Sequence, residues 1–113
     1  MTDIATAVRQ LLTAAPEKAL PMTYQQVAAS LGLTPPGTIQ RVAQALEQLM
    51  RDDAASHQPF IAALVVSRRG ENMPAAGFFE LAVALGRFPT DPRQHAEAYR
   101  TEYQQALVSR VNA

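Results

Sequence analysis

Thr23-Tyr24-Gln25-Gln26-Val27-Ala28-Ala29-Ser30-Leu31-Gly32-Leu33-Thr34-Pro35-Pro36-Gly37-Thr38-Ile39-Gln40-Arg41-Val42-Ala43-Gln44-Ala45-Leu46-Glu47-Gln48-Leu49-Met50 is the stretch whose reading decides the fold. Two consecutive prolines cannot lie inside a helix, so residues 33–37 are a turn. Before it, Thr23 reads as the N-cap of a helix whose inner face is Tyr24, Val27, Ala28 and Leu31. Gly32 stands where the chain must turn left-handed. After it, Ile39, Val42, Ala43, Leu46, Leu49 and Met50 form one apolar stripe, while Thr38, Gln40, Arg41, Gln44, Glu47 and Gln48 fall on other faces. Ala28 is small enough to let the second helix cross closely. Two helices joined through a short glycine-containing turn make a helix-turn-helix, predicted here over 23–50. Asp52-Asp53 sits badly at the negative end of a helix dipole, so the second helix is expected to fray there.

Outward from this element, Asp3 reads as the cap of a first helix with Ile4, Val8, Leu11 and Leu12 on one face. Pro16 and Pro21 bracket a connector. On the other side, Phe60 to Ser67 is a continuous apolar run with β-branched residues and reads as a buried strand. Arg68-Arg69-Gly70-Glu71-Asn72 reads as a turn, and Pro74 and Gly77 interrupt any returning strand. Phe78 to Leu85 reads as a short helix ended by Gly86. Thr90 or Asp91 caps a last helix with Pro92 in its first turn and a stripe of Ala96, Tyr99, Tyr103, Leu107 and Val111. The expected fold is mainly α with a short β-strand or hairpin, a winged helix-turn-helix. It forms one domain over 1–113, with the wing at 60–77 and C-terminal helices at 78–112.

The 113 residues are 48% hydrophobic and 18% charged, enough for one modest core. Lys+Arg and Asp+Glu both count 10, a formal charge of zero, which argues against a strong non-specific clamp on DNA but leaves room for a local patch. No cysteine is present. That removes disulfides, thiolate nucleophiles and cysteine-type zinc sites. Asp3 and Arg9 in the first ten residues argue against a signal peptide. The longest apolar run, Phe60 to Val66, is too short to span a bilayer. The expected location is the cytoplasm.

Three features point toward nucleic acid. Gln40, Gln44 and Gln48 share a face at spacings of four, and glutamine can pair with adenine in the major groove. Arg41 beside them can reach a guanine or a phosphate. Thr38 begins the same helix. The same residues also fit a solvated polar face, and segment 23–52 balances Arg41 and Arg51 against Glu47 and Asp52. Arg68 and Arg69 follow a strand in a glycine-containing turn, where a winged helix carries the basic tip of its wing; they also fit an ordinary hairpin end.

Residues 23–32 and Gln40-Arg41-Val42-Ala43-Gln44-Ala45-Leu46 resemble the helix-turn-helix of O6-alkylguanine-DNA alkyltransferases and their alkyltransferase-like relatives. The similarity runs over residues 22–87: a proline, a Val-Val strand, a glycine turn and a short helix ending in glycine follow in the family's order. The resemblance implies a winged-helix scaffold with DNA as ligand. It gives Tyr24 the role of the tyrosine that helps rotate the target nucleotide; an aromatic in the first turn of an amphipathic helix also fits core packing with its hydroxyl at the rim. Gln40 falls at the position of the family's intercalating arginine, with Arg41 next to it. The family's reactive Pro-Cys-His-Arg motif is replaced by Phe60-Ile61-Ala62-Ala63. Alkyl transfer needs a thiolate, so that chemistry is excluded.

His57 and His95 lack the paired i, i+4 spacing of a helical metal site, and no phosphate loop or nucleophile elbow appears. Arg100 and Arg110 are expected to be solvated. The sequence therefore predicts a non-catalytic binder of double-stranded DNA without cofactor or metal. The DNA-facing residues are Tyr24, Thr38, Gln40, Arg41, Gln44, Gln48, Arg68 and Arg69. The alternative is a protein-interaction module on the same scaffold, a homodimer through the last helix included.

Overall fold

The computed structural model describes residues 3–68 and 72–111. In chain order it holds helix α1 (Ile4–Ala14), strand β1 (Met22–Thr23), helix α2 (Tyr24–Ser30), helix α3 (Thr38–Ala55), strand β2 (Val65–Val66), helix α4 (Ala76–Ala84) and helix α5 (His95–Val111). Single 3-10 turns lie at Glu17–Ala19, Ile61–Leu64 and Pro92–Gln94. The molecule is mainly helical with a small parallel sheet, in which Met22 pairs with Val65 and Thr23 with Val66.

Helix starts follow the local chemistry. The Asp3 side chain accepts from the Thr6 N–H, and Thr23 and Gln26 form a reciprocal capping box at the start of α2. Three helices end alike: Gly32 after α2, His57 after α3 and Gly86 after α4 all take a left-handed conformation. Each is followed by a backbone bond back to the last turn, from Leu33 to Ala28, Gln58 to Asp53 and Arg87 to Ala82.

The core is one cluster. Val8 and Leu12 of α1, Val27 and Ala28 of α2, and Val42, Leu46, Leu49 and Met50 of α3 meet Phe60–Val66, Phe78, Ala82, Phe88, Tyr99 and Ala106. Phe78 is the hub of its aromatic part, edge-on to Phe60, Phe79, Phe88 and Tyr99.

The chain departs from the sequence expectations at several places. The run Phe60–Ser67 is not a strand along its length: Ile61–Leu64 is a 3-10 turn and only Val65–Val66 is extended. A run buried on all sides carries no period to tell the two apart. β2 pairs with β1 in parallel, and among the described residues it has no antiparallel partner. Beyond β2 the Ser67 N–H donates to the Met73 carbonyl at 2.8 Å. Arg69, Gly70 and Glu71 of the expected wing lie outside the described residues.

α3 does not fray at Asp52-Asp53 but runs on to Ala55. Asp53 is buried, 3% exposed, and its carboxylate accepts from the Ile61 N–H at 3.0 Å and from Arg9 Nη2 at 2.8 Å. From the other side Glu102 accepts from the Phe60 N–H and from Arg87 Nη1, both at 2.7 Å. Two carboxylates thus hold consecutive amides where the 3-10 turn begins. Arg110 is not simply solvated either: its Nη1 donates to the carbonyls of Leu12, Thr13 and Ala15 at the end of α1. On α5 the buried residues are Tyr99, Glu102 and Ala106, and Val111 of the expected stripe is 66% exposed.

Candidate nucleic-acid interface

Tyr24 is held by the start of α2, whose capping box fixes the entry of the helix. The ring packs into the core at 9% exposure, and the hydroxyl accepts from the Ala75 N–H at 3.1 Å. Burial pushes its pKa up, the Glu47 charge adds to this, and the Ala75 bond opposes it. Tyr24 therefore joins α2 to the residues just before α4, as a core aromatic with a partnered hydroxyl.

The α3 side chains divide by helical phase, about 100° per residue. Val42, Leu46, Leu49 and Asp53 point into the core. Gln40, Arg41 and Gln44 are exposed on the opposite side, and none has a hydrogen-bond or ion-pair partner among the described residues. Thr38 is half-buried at the start of the helix. Gln48 is exposed too, but its Nε2 donates to Asp52 Oδ1 at 2.9 Å. Arg51 faces Glu47 at 3.7 Å, a surface pair of little energetic weight. The acids on this face, Glu47 and Asp52, belong to the C-terminal half of α3. Residues 38–46 carry none.

Between the starts of α2 and α3 and residues Ser67, Arg68 and Ala75 lies an open groove of about 650 Å³. Gln25, Ile39, Ala43, Ser67 and Arg68 line it, with the edge of Tyr24 at its floor. Arg68 is exposed on its outer wall. Ile39 is 38% exposed, although the stripe it belongs to is otherwise turned inward. Helical phase puts Arg41 about 160° around the helix from Ala43. Arg41 and Arg68 therefore flank α3 on opposite sides and do not form one patch. Arg69 lies outside the described residues.

Of the eight residues singled out in the sequence, Gln40, Arg41 and Gln44 share one exposed face, with Thr38 at its start. Arg68 stands across the groove, Gln48 is tied to Asp52, and Tyr24 is packed in the core with only its edge on the groove. Sequence reasoning missed Gln25 as a groove residue. Its signal was its place next to Tyr24 on the outer side of α2.

Elsewhere, the His95 ring stacks on Phe79 with centroids 5.4 Å apart, and its Nε2 is 2.7 Å from the Pro89 carbonyl. Arg87, paired with Glu102, also lies 4.3 Å above the Phe60 ring. Among the described residues no group of three or more His, Asp or Glu is arranged to hold a metal ion, and no helix is long and apolar enough to cross a membrane. No family model matches the chain, and no curated protein or solved structure matches it.

Proposed function

We propose that this chain is a non-catalytic winged-helix-type domain that binds double-stranded DNA, with α3 in the major groove and Arg68-Arg69 against the backbone. The observation that carries this reading is the N-terminal half of α3: an exposed, acid-free polar face whose Gln40, Arg41 and Gln44 side chains have no hydrogen-bond partner among the described residues. Recognition helices contact base edges with their N-terminal residues. The arginines on either side of α3 suit a helix that meets a phosphate strand on each wall of the groove. The resemblance of residues 22–87 to alkyltransferase DNA-binding domains points to the same ligand.

The electrostatic footprint is small, and that makes the reading testable. Arg41, Arg68 and Arg69 account for about three phosphate contacts, so log K should fall with log salt at a slope of about −3. Fluorescence anisotropy with a mixed-sequence duplex at several salt concentrations measures it. Arg68→Ala with Arg69→Ala should flatten the slope by about 2 and weaken binding to all sequences alike. Absence of binding at low salt, where attraction is strongest, refutes the proposal.

A second reading, a protein-interaction module, has one observation in its favour. Val108 and Val111 near the end of α5 are 58% and 66% exposed. Light scattering over a range of concentrations tests its homodimeric form; a constant monomer mass excludes it.

A further inference from the structure

Resting on the DNA-binding reading, we infer that the first half of α3 is a reader of A·T base pairs, with Gln40 and Gln44 on adenine and Ile39 with Ala43 on the thymine methyl. Gln40 and Gln44 are the two glutamines of the face that have no partner among the described residues, whereas Gln48 is committed to Asp52. A glutamine amide offers one donor and one acceptor. That is the complement of the adenine edge in the major groove, where N6–H donates and N7 accepts. Four residues of helix advance about 6 Å, so the two amides reach adenines that are neighbours or next but one.

Ile39 supplies an independent argument. It is the large apolar side chain that α3 leaves at the surface, and with Ala43 it lines the groove beside the glutamine row. Thymine alone among the bases presents a methyl group in the major groove, and apolar side chains recognise it. Glutamine and isoleucine side by side on one helix therefore suit the two halves of the same base pair. Charge complementarity supports duplex DNA as the occupant of this face: residues 38–46 hold no acid, and Arg41 and Arg68 flank the helix where phosphates would lie.

The probe is a duplex library with a randomised core, selected on the full chain and sequenced. Selection should recover a motif with adenine at two close positions. Gln40→Ala and Gln44→Ala should each relax one of them, lowering its discrimination about tenfold or more, while Gln48→Ala leaves the motif as it was. Replacing thymine by deoxyuridine in the selected duplex removes only the methyl group and should weaken binding about fourfold, a loss that disappears in Ile39→Ala. All four substitutions are at exposed or half-exposed positions, and circular dichroism checks that the helices persist.

Binding with no adenine preference, or a motif unchanged by both glutamine substitutions, overturns this inference and leaves the DNA reading standing. Failure to bind any member of the library at low salt overturns both.

Discussion

Glu102 is the residue whose neighbourhood says most about how this core is held. Its side chain is 5% exposed, and one oxygen takes both the Phe60 N–H and the Arg87 guanidinium. Arg87 in turn lies over the Phe60 ring and donates to the Gln58 carbonyl. Removing the carboxylate leaves a backbone donor unmet and a largely buried cation unpaired. Breaking one side of a buried pair costs about 3–5 kcal/mol. Glu102→Ala should lose stability on that scale in urea denaturation, and Glu102→Gln, which keeps an acceptor for the amide, should lose clearly less. Equal losses would show that the carboxylate contributes by packing alone. Nothing in the sequence marked Glu102, which looks like any charged residue of a surface helix. Only the docking of α5 beside the 3-10 turn puts it inside.

Among the elements, helix boundaries were the most legible feature. Asp3 and Thr23 accept backbone bonds as helix N-caps, Asp91 caps the 3-10 turn that leads into α5 at His95, and Gly32 and Gly86 both end helices in the left-handed region. These are local choices, settled within a few residues by backbone geometry and side-chain hydrogen bonding. The end of α3 was misread because Asp52-Asp53 looked like a stop, although its own stop signal is missing. His57 takes the left-handed position at φ 57°, where α2 and α4 use glycine. A side chain there is strained by about 1 kcal/mol. His57→Gly relieves that strain but gives back about 0.5–1 kcal/mol to the unfolded chain, so it should raise the free energy of unfolding by no more than a few tenths of a kcal/mol, read as a slightly higher urea midpoint. A lower midpoint would mean that the exposed imidazole makes a contribution of its own. The strand was the other misread element. Phe60 to Val66 is buried throughout, so hydrophobic pattern carries no information about its backbone. Its course follows from the two carboxylates at its start and from β1 beside its end.

At the scale of the whole molecule, one core draws in all five helices, and the radius of gyration, 13.1 Å, is that of a compact chain of this length. Arg110 ties the two ends together. It comes from the last turns of α5 and donates to carbonyls left open at the end of α1, a favourable place for a cation. Hydrogen bonds to a charged donor are worth about 2 kcal/mol. Arg110→Met keeps the apolar stem and removes the donor, so it should lower stability by about that much without changing the denaturant slope. An unchanged midpoint would show that the contact is incidental.

What the sequence determined by itself is local and periodic: the capped start of α2, the glycine that ends it, most of the inward stripe of α3 and the exposed glutamine row. These depend on spacing of 3.6 residues and on short-range hydrogen bonds, both written along the chain. The missing cysteine likewise excluded thiolate chemistry without any structure. Tertiary structure alone decided which polar groups are free. It turned Tyr24 inward onto Ala75, buried Asp53 and Glu102, and set Arg41 and Arg68 on opposite flanks of α3. Such pairings depend on distances between segments far apart in sequence, and no local pattern encodes them.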